Sequence, residues 1–197
     1  MGAEHERVCP VERAGGLDNT WRRWLQDPYK ILMPYIREGM TVLDVGCGPG
    51  FFTIQMAKLV GKTGRVIAAD LQDGMLEKVR RKVTGTEFEG RVTLHRCDVD
   101  RIGISGPVDF VLLFYMVHEV PDKAGLFSEI AHMLQPTGQA LIVEPPLHVL
   151  HSSFEHTLVT ARAAGLTALR GPKVFLSKTA LLLKGQEAAA APGKLRG

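Results

Sequence analysis

The chain has 197 residues, a length that suits one domain able to bury its own core, and 45% hydrophobic with 23% charged residues is an ordinary globular balance. A net charge of +3 gives no clear indication of a nucleic-acid partner. Three cysteines, at 9, 47 and 97, lack disulfide or metal-ligand spacing, which points to a reducing compartment, taken as the cytoplasm, and to no metal site. The first ten residues, MGAEHERVCP, have no apolar signal core, and Glu6 stands where a myristoylation signal needs Ser or Thr. The longest apolar run, Phe110 to Val117, is too short to span a bilayer.

Residues 1–16 read as irregular. From Leu17 to Ile36 the spacing of Trp21, Trp24, Leu25, Ile31, Leu32 and Tyr35 predicts short amphipathic helices, interrupted by Pro28 and Pro34. Residues 1–40 therefore form an expected helical cap segment.

Next comes Val42-Leu43-Asp44-Val45-Gly46-Cys47-Gly48-Pro49-Gly50. Its aliphatic start predicts a buried strand, its alternate glycines a turn that lets a ligand approach the backbone, and Phe51 to Val60 a helix ending at Gly61. That geometry is expected to aim free N–H groups and a helix N-terminus above the turn. Asp44, two residues before the first glycine, would repel a phosphate and attract an ammonium group. The dinucleotide pattern Gly-x-Gly-x-x-Gly would need glycine at 51, where Phe51 stands, and no Walker lysine is present.

The form D-x-G-x-G-x-G resembles the glycine loop of class I S-adenosylmethionine-dependent methyltransferases. The resemblance covers roughly residues 40–184. It implies an α/β, Rossmann-like, doubly wound seven-stranded sheet whose last strand is antiparallel. It also implies S-adenosyl-L-methionine as cofactor, with Asp44, Gly46, Cys47, Gly48 and Gly50 against its methionine part. Within the family, the small-molecule type related to quinone-biosynthesis enzymes is nearest.

Arg65–Asp70 predicts a second strand ending in a carboxylate, placed to accept hydrogen bonds from a ribose, with Leu71 offering an apolar face to adenine. A helix follows over 72–83, and its basic cluster Lys78, Arg80, Arg81 and Lys82 reads as a solvated face. Arg91–Asp98 predicts a third strand. By resemblance, Asp98 receives the adenine amino group beside the N–H of Val99. The fourth strand, 107–114, is apolar throughout, as expected of a strand covered on both faces. The family motif there has an acid at Asp109, and Phe114 is counted among the cofactor contacts. Asp122 is expected to cap a helix running through Leu134. Pro136-Thr137-Gly138 reads as a turn, 139–144 as the fifth strand, and Ser152 with Glu155 as a capping box for a helix ending at Gly165. Residues 166–170 and 174–183 predict a closing hairpin, and 185–197 a disordered tail.

The chemistry implied by the resemblance is in-line displacement at a sulfonium methyl group by a small-molecule or lipid-like acceptor, for which alignment and water exclusion matter most. Tyr115, His118 and Glu119 follow the fourth strand and are the candidate catalytic residues, His118 as general base. Glu144 at the fifth strand's tip either orients an acceptor or holds the neighbouring loop. Phe114-Tyr115-Met116-Val117 lacks the Asn/Asp-Pro-Pro-aromatic motif of nucleobase amino methylation, and the cysteines are not arranged for arsenite. No insertion after the fifth strand supplies a lid, so the site is either open to a bulky acceptor or closed by a second copy of the chain, a homodimer. The alternative function is a non-catalytic S-adenosylmethionine-binding regulatory or scaffolding subunit.

Overall fold

A computed structural model describes residues 26–185. The expectations for Trp21, Trp24 and the rest of 1–25, and for the tail from 186, lie outside the described residues. Twelve helices and strands follow: α1 (Pro28–Leu32), β1 (Thr41–Val45), α2 (Thr53–Leu59), β2 (Arg65–Asp70), α3 (Asp73–Val83), β3 (Val92–Arg96), β4 (Val108–Phe114), α4 (Lys123–Met133), β5 (Leu134–Glu144), α5 (His151–Ala163), β6 (Leu166–Arg170) and β7 (Lys178–Lys184). One seven-stranded sheet runs β3-β2-β1-β4-β5-β7-β6. The last strand, β7, pairs antiparallel with both β5 and β6, while β1 to β5 are mutually parallel, as expected.

Strand alternation divides the core between the two faces. Val42, Phe110, Leu112, Leu141 and Val143 pack with Met56, Ala57 and Val79 from α2 and α3. The intervening Leu43, Val111, Leu113, Ala140 and Ile142 pack with Phe127, Ile130 and Leu158 from α4 and α5. Burial on both faces explains why β1 and β4 read as unbroken apolar runs. The chain leaves β1 toward β2 and β3 but later places β4 on the other side, so the crossover direction changes between β1 and β4. At such a point the loops above the strand ends diverge and leave a crevice.

Several boundaries differ from the sequence reading. α2 begins at Thr53, leaving Phe51 and Phe52 in the turn. β3 stops at Arg96, because Cys97 turns its N–H to the Asp70 carbonyl (3.0 Å) and Asp98 enters a loop closed on Arg101. The expected turn at Pro136-Thr137-Gly138 is an irregularity inside β5: Val108 pairs with Leu134 and Phe110 with Gln139, so the intervening residues bulge out between two paired stretches. The expected capping box of α5 is absent. The helix starts two residues early, its N-cap is Leu150 without a side-chain cap bond, and Ser152 and Glu155 are exposed within it. Asp122 does cap α4, its Oδ1 accepting from the Gly125 N–H at 2.9 Å. On α3, Arg80 and Arg81 pair with Glu77 at 3.2 and 3.1 Å on the solvent side.

Candidate active site at the carboxyl edge of the sheet

The glycine turn joins β1 to α2 at the divergence point. Gly46, Gly48 and Gly50 all have left-handed φ values, +67°, +53° and +84°. Two of them sit under close neighbours: a Cβ on Gly46 would lie 3.0 Å from Met116 Cβ, and one on Gly50 would lie 3.1 Å from Val79 Cγ2. At Gly48 an added Cβ would have nothing within 4 Å. Gly48 is thus the glycine whose missing side chain leaves open space above the turn.

The expectation of free backbone donors is not met. Gly46 and Cys47 give their N–H groups to the Ala69 carbonyl (2.8 and 3.0 Å), Gly50 gives its own to Cys47 (3.1 Å), and Gly48 donates to Asp70 Oδ2 at 2.9 Å. Three of these donors go to the neighbouring strand β2, where a carboxylate and a carbonyl lie within reach, and Gly50 closes the turn on Cys47. Beside the turn, at the ends of β1 and β2, stand two buried carboxylates, Asp44 and Asp70.

Asp44 is 2% exposed, and its Oδ2 accepts from the Thr53 hydroxyl at 2.6 Å, tying the end of β1 to the first turn of α2. Asp70 accepts from the N–H groups of Gly48 and Gln72, each at 2.9 Å. Burial pushes its carboxyl above the usual range, and these backbone donors, with Leu71, pull it back in part. Glu119 is also raised, first by burial, with His118 opposing and the charges of Glu144 and Asp70 adding to the shift. Carboxylates from the tips of β2 and β5 and from the turn after β4 therefore sense one another across the crevice. Cys47 and Cys97 are pushed up as well, Cys97 to about 12, burial leading in both and Asp70 adding its charge. Neither is a reactive thiol.

At the outer end, Asp98 pairs with Arg101 at 3.0 Å and is exposed, as is Val99. Asp109 sits at the opposite edge of the sheet, where its Oδ2 accepts from the Thr41 N–H at 2.8 Å, so it is a support of β1 and not a part of the crevice.

On the other side of Gly46 the chain leaves β4 through Phe114 and Tyr115. Phe114 is buried, its ring centroid 4.3 Å from Phe52 and 4.5 Å from Tyr115. Tyr115 holds φ +58°, unusual for a bulky residue and a place where local strain is stored. A relay of hydrogen bonds holds it. Gln26 Nε2 donates to the Tyr115 hydroxyl (2.6 Å), which lies 2.7 Å from Ser177 Oγ, itself 3.2 Å from the Phe175 carbonyl it donates to. A short 3-10 turn, Val117–Glu119, follows. Glu144, 1% exposed at the tip of β5, accepts from the Val117 N–H at 2.9 Å and contacts His118 Nδ1 at 2.6 Å. With Glu144 ionised, Nδ1 is the donor, and Nε2, 3.9 Å from Glu119, is the ring nitrogen able to take a proton. The bond to Glu144 raises His118 above its ordinary value against the opposing effect of burial.

The sequence singled out Tyr115, His118 and Glu119, and offered Glu144 either to orient an acceptor or to hold the neighbouring loop; its bonds to Val117 and His118 hold that loop. It missed Gln26, Thr53 and Ser177. Thr53, nine residues after Asp44, was detectable as a hydroxyl opening the helix after the turn. Gln26 and Ser177 carry no local signal, since they lie 89 and 62 residues from Tyr115.

With an acidic crevice, a turn whose donors are committed, and open space over Gly48, a cationic nucleoside fits this edge and a pyrophosphate does not. The chain is similar to the class I S-adenosylmethionine-dependent methyltransferases, whose cofactor is S-adenosyl-L-methionine. A methyltransferase-domain family model matches residues 42–138. The chain is 29% identical over 130 residues, 66% of its length, to the ubiquinone/menaquinone biosynthesis C-methyltransferase UbiE of Klebsiella pneumoniae, and covers 50% of that protein. It is 28% identical over 132 residues to the protein of the same description from Azotobacter vinelandii. It thus spans about half the length of the curated relatives it matches. Among solved structures, a SAM-dependent methyltransferase from Aquifex aeolicus superposes with a TM-score of 0.76 at 27% identity, covering 89% of this chain and 97% of that one.

Proposed function

We propose that the chain moves a methyl group from S-adenosylmethionine to a small, quinone-like or lipid-like acceptor. The observation that carries this reading is the acidic crevice itself: Asp44 and Asp70 flank a turn whose N–H groups are used internally, while His118 stands opposite with one nitrogen held by Glu144.

When bound, S-adenosylmethionine supplies an electrophilic methyl group on a positively charged sulfur. Asp44 and the turn from Gly46 to Gly50 hold the amino-acid end. Asp70 accepts from the ribose hydroxyls through the lone pairs its backbone donors leave. Leu71, Asp98 and Val99 border the adenine, and buried Phe114 closes the floor. Glu144 fixes the His118 ring so that Nε2 faces the acceptor. His118 takes the proton that a phenolic or enolic acceptor must lose as its oxygen or ring carbon becomes nucleophilic, a role that contributes about 10²–10⁴-fold where it applies. Tyr115 positions rather than transfers a proton, because its hydroxyl is engaged by Gln26 and Ser177. Glu119 supplies negative charge beside the crevice.

Incubating the protein with methyl-labelled cofactor and a solvent extract of cells tests this reading. Label should appear in an organic-extractable product with the parent protein and fall sharply with His118→Ala. Label confined to protein or nucleic acid would overturn the acceptor class.

A further inference from the structure

Two loops rise beside Glu144 at the carboxyl edge, residues 145–150 after β5 and 171–177 between β6 and β7. They are joined by the Lys178 ammonium, which donates to the Pro146 carbonyl at 3.2 Å. Their outermost side chains are large and apolar: Leu147 is 91% exposed, Leu176 77%, Leu150 71%, and Phe175 is half exposed. Burying such side chains is the ordinary driving force of folding, and these gain nothing from it here. Leu176 moreover holds φ +50°, which a leucine adopts only at a cost, and the Ser177 N–H bond to the Val174 carbonyl at 2.8 Å closes the turn that keeps it there.

The charge around these tips has one sign. Residues 145–151 and 171–178 contain no Asp or Glu, but they include exposed Lys173, half-buried Lys178, and His148 and His151. Glu155 on α5 already lies 4.0 Å from His151, and Glu144 beneath the loops is buried and holds Val117 and His118. Protruding leucines and a phenylalanine on two loop tips, flanked by Lys173 and Lys178, match a surface that accepts apolar wedges and carries negative headgroups.

We propose that Leu147, Leu150, Phe175 and Leu176 insert into an anionic lipid surface and set the crevice against it. The same loop reaches the crevice directly, since Ser177 Oγ lies 2.7 Å from the Tyr115 hydroxyl. An acceptor with an apolar tail would then enter from the lipid without crossing water. The docking surface does not depend on the cofactor assignment.

Vesicle co-sedimentation of the full chain tests this, using phosphatidylcholine alone and phosphatidylcholine mixed with phosphatidylglycerol. The protein should sediment with the anionic vesicles, less so as salt is raised. The Leu147→Ser/Leu176→Ser double variant should lose at least about tenfold in partitioning, as expected for removing two apolar anchors. Lys173→Glu should weaken binding to anionic vesicles only. Unchanged thermal melting guards against misfolding, as both leucines are exposed. No binding to either vesicle, or equal binding by parent and double variant, overturns the proposal. So does a parent dimer that the double variant converts to monomer in sedimentation velocity, which would give the patch to a second copy. Calorimetry with S-adenosylmethionine on the same samples reads the cofactor assignment separately.

Discussion

The two halves of the crevice are built differently. On the β1–β2 side, a carboxylate at each strand tip is held by groups close in the chain or on the adjoining strand: Thr53 for Asp44, and Gly48 and Gln72 for Asp70. On the β4–β5 side, side chains far apart in sequence hold one another: His118 with Glu144, and Tyr115 with Gln26 and Ser177. A glycine turn is rigid once its backbone donors are committed, so it presents one fixed surface to an invariant cofactor. A network of side chains is adjustable residue by residue, which suits the half that must match a particular acceptor.

The sharpest way to break this comparison is to fill the rigid half. Gly48→Val places a branched side chain in the open space over the turn, so cofactor binding should vanish in calorimetry. The left-handed φ adds a strain of about 1–2 kcal/mol, which a thermal melt would register as a modest loss. Retained affinity would mean the cofactor does not lie there.

The adjustable half should respond differently. His118→Ala should leave cofactor affinity near that of the parent while lowering kcat by about 10²–10⁴-fold. A loss of cofactor affinity without a loss of kcat would move His118 to the wrong side of the comparison. Next in size, Asp70→Ala should weaken cofactor binding by about 1–3 kcal/mol through lost charge-assisted hydrogen bonds. Its kcat at saturating cofactor should stay close to the parent's.

The smallest effect is a displacement on the pH axis. His118 must be neutral to act as a base, and its bond to Glu144 raises its pKa, so activity should climb with pH through a limb above 6.5. Glu144→Gln removes the carboxylate and should shift that limb to lower pH. The stability sign is opposite: a raised histidine stabilises the fold fully below its unfolded value and loses that contribution as pH rises through the folded value. In urea titrations at several pH values the parent should therefore show this loss on going from acidic to mildly alkaline solution, and Glu144→Gln should show less of it.

The same asymmetry explains what the sequence could tell. The order of strands and helices and the positions of Asp44 and Asp70 were legible, because apolar runs and glycine turns are local; the antiparallel last strand was implied by the family resemblance alone. The inner irregularity of β5 was not: Pro136-Thr137-Gly138 has turn chemistry, and only pairing with Val108 on a distant strand keeps Leu134 in the sheet. The α5 cap failed similarly, since Ser152 and Glu155 have capping-box spacing but the helix begins before them. The committed N–H groups of Gly46, Cys47 and Gly48 were hidden too, because their acceptors belong to β2. At the acceptor side His118 was recognisable as a residue type at a strand end, while its partner lay 26 residues on.

Titrating the protein calorimetrically with S-adenosylmethionine, and in parallel with NAD, puts the acidic crevice to its most direct test. Saturable binding of the sulfonium nucleoside that Gly48→Val abolishes, with no heat from the dinucleotide, is the predicted result. Binding of NAD in place of S-adenosylmethionine, or sulfonium binding indifferent to both Gly48→Val and Asp70→Ala, would contradict it.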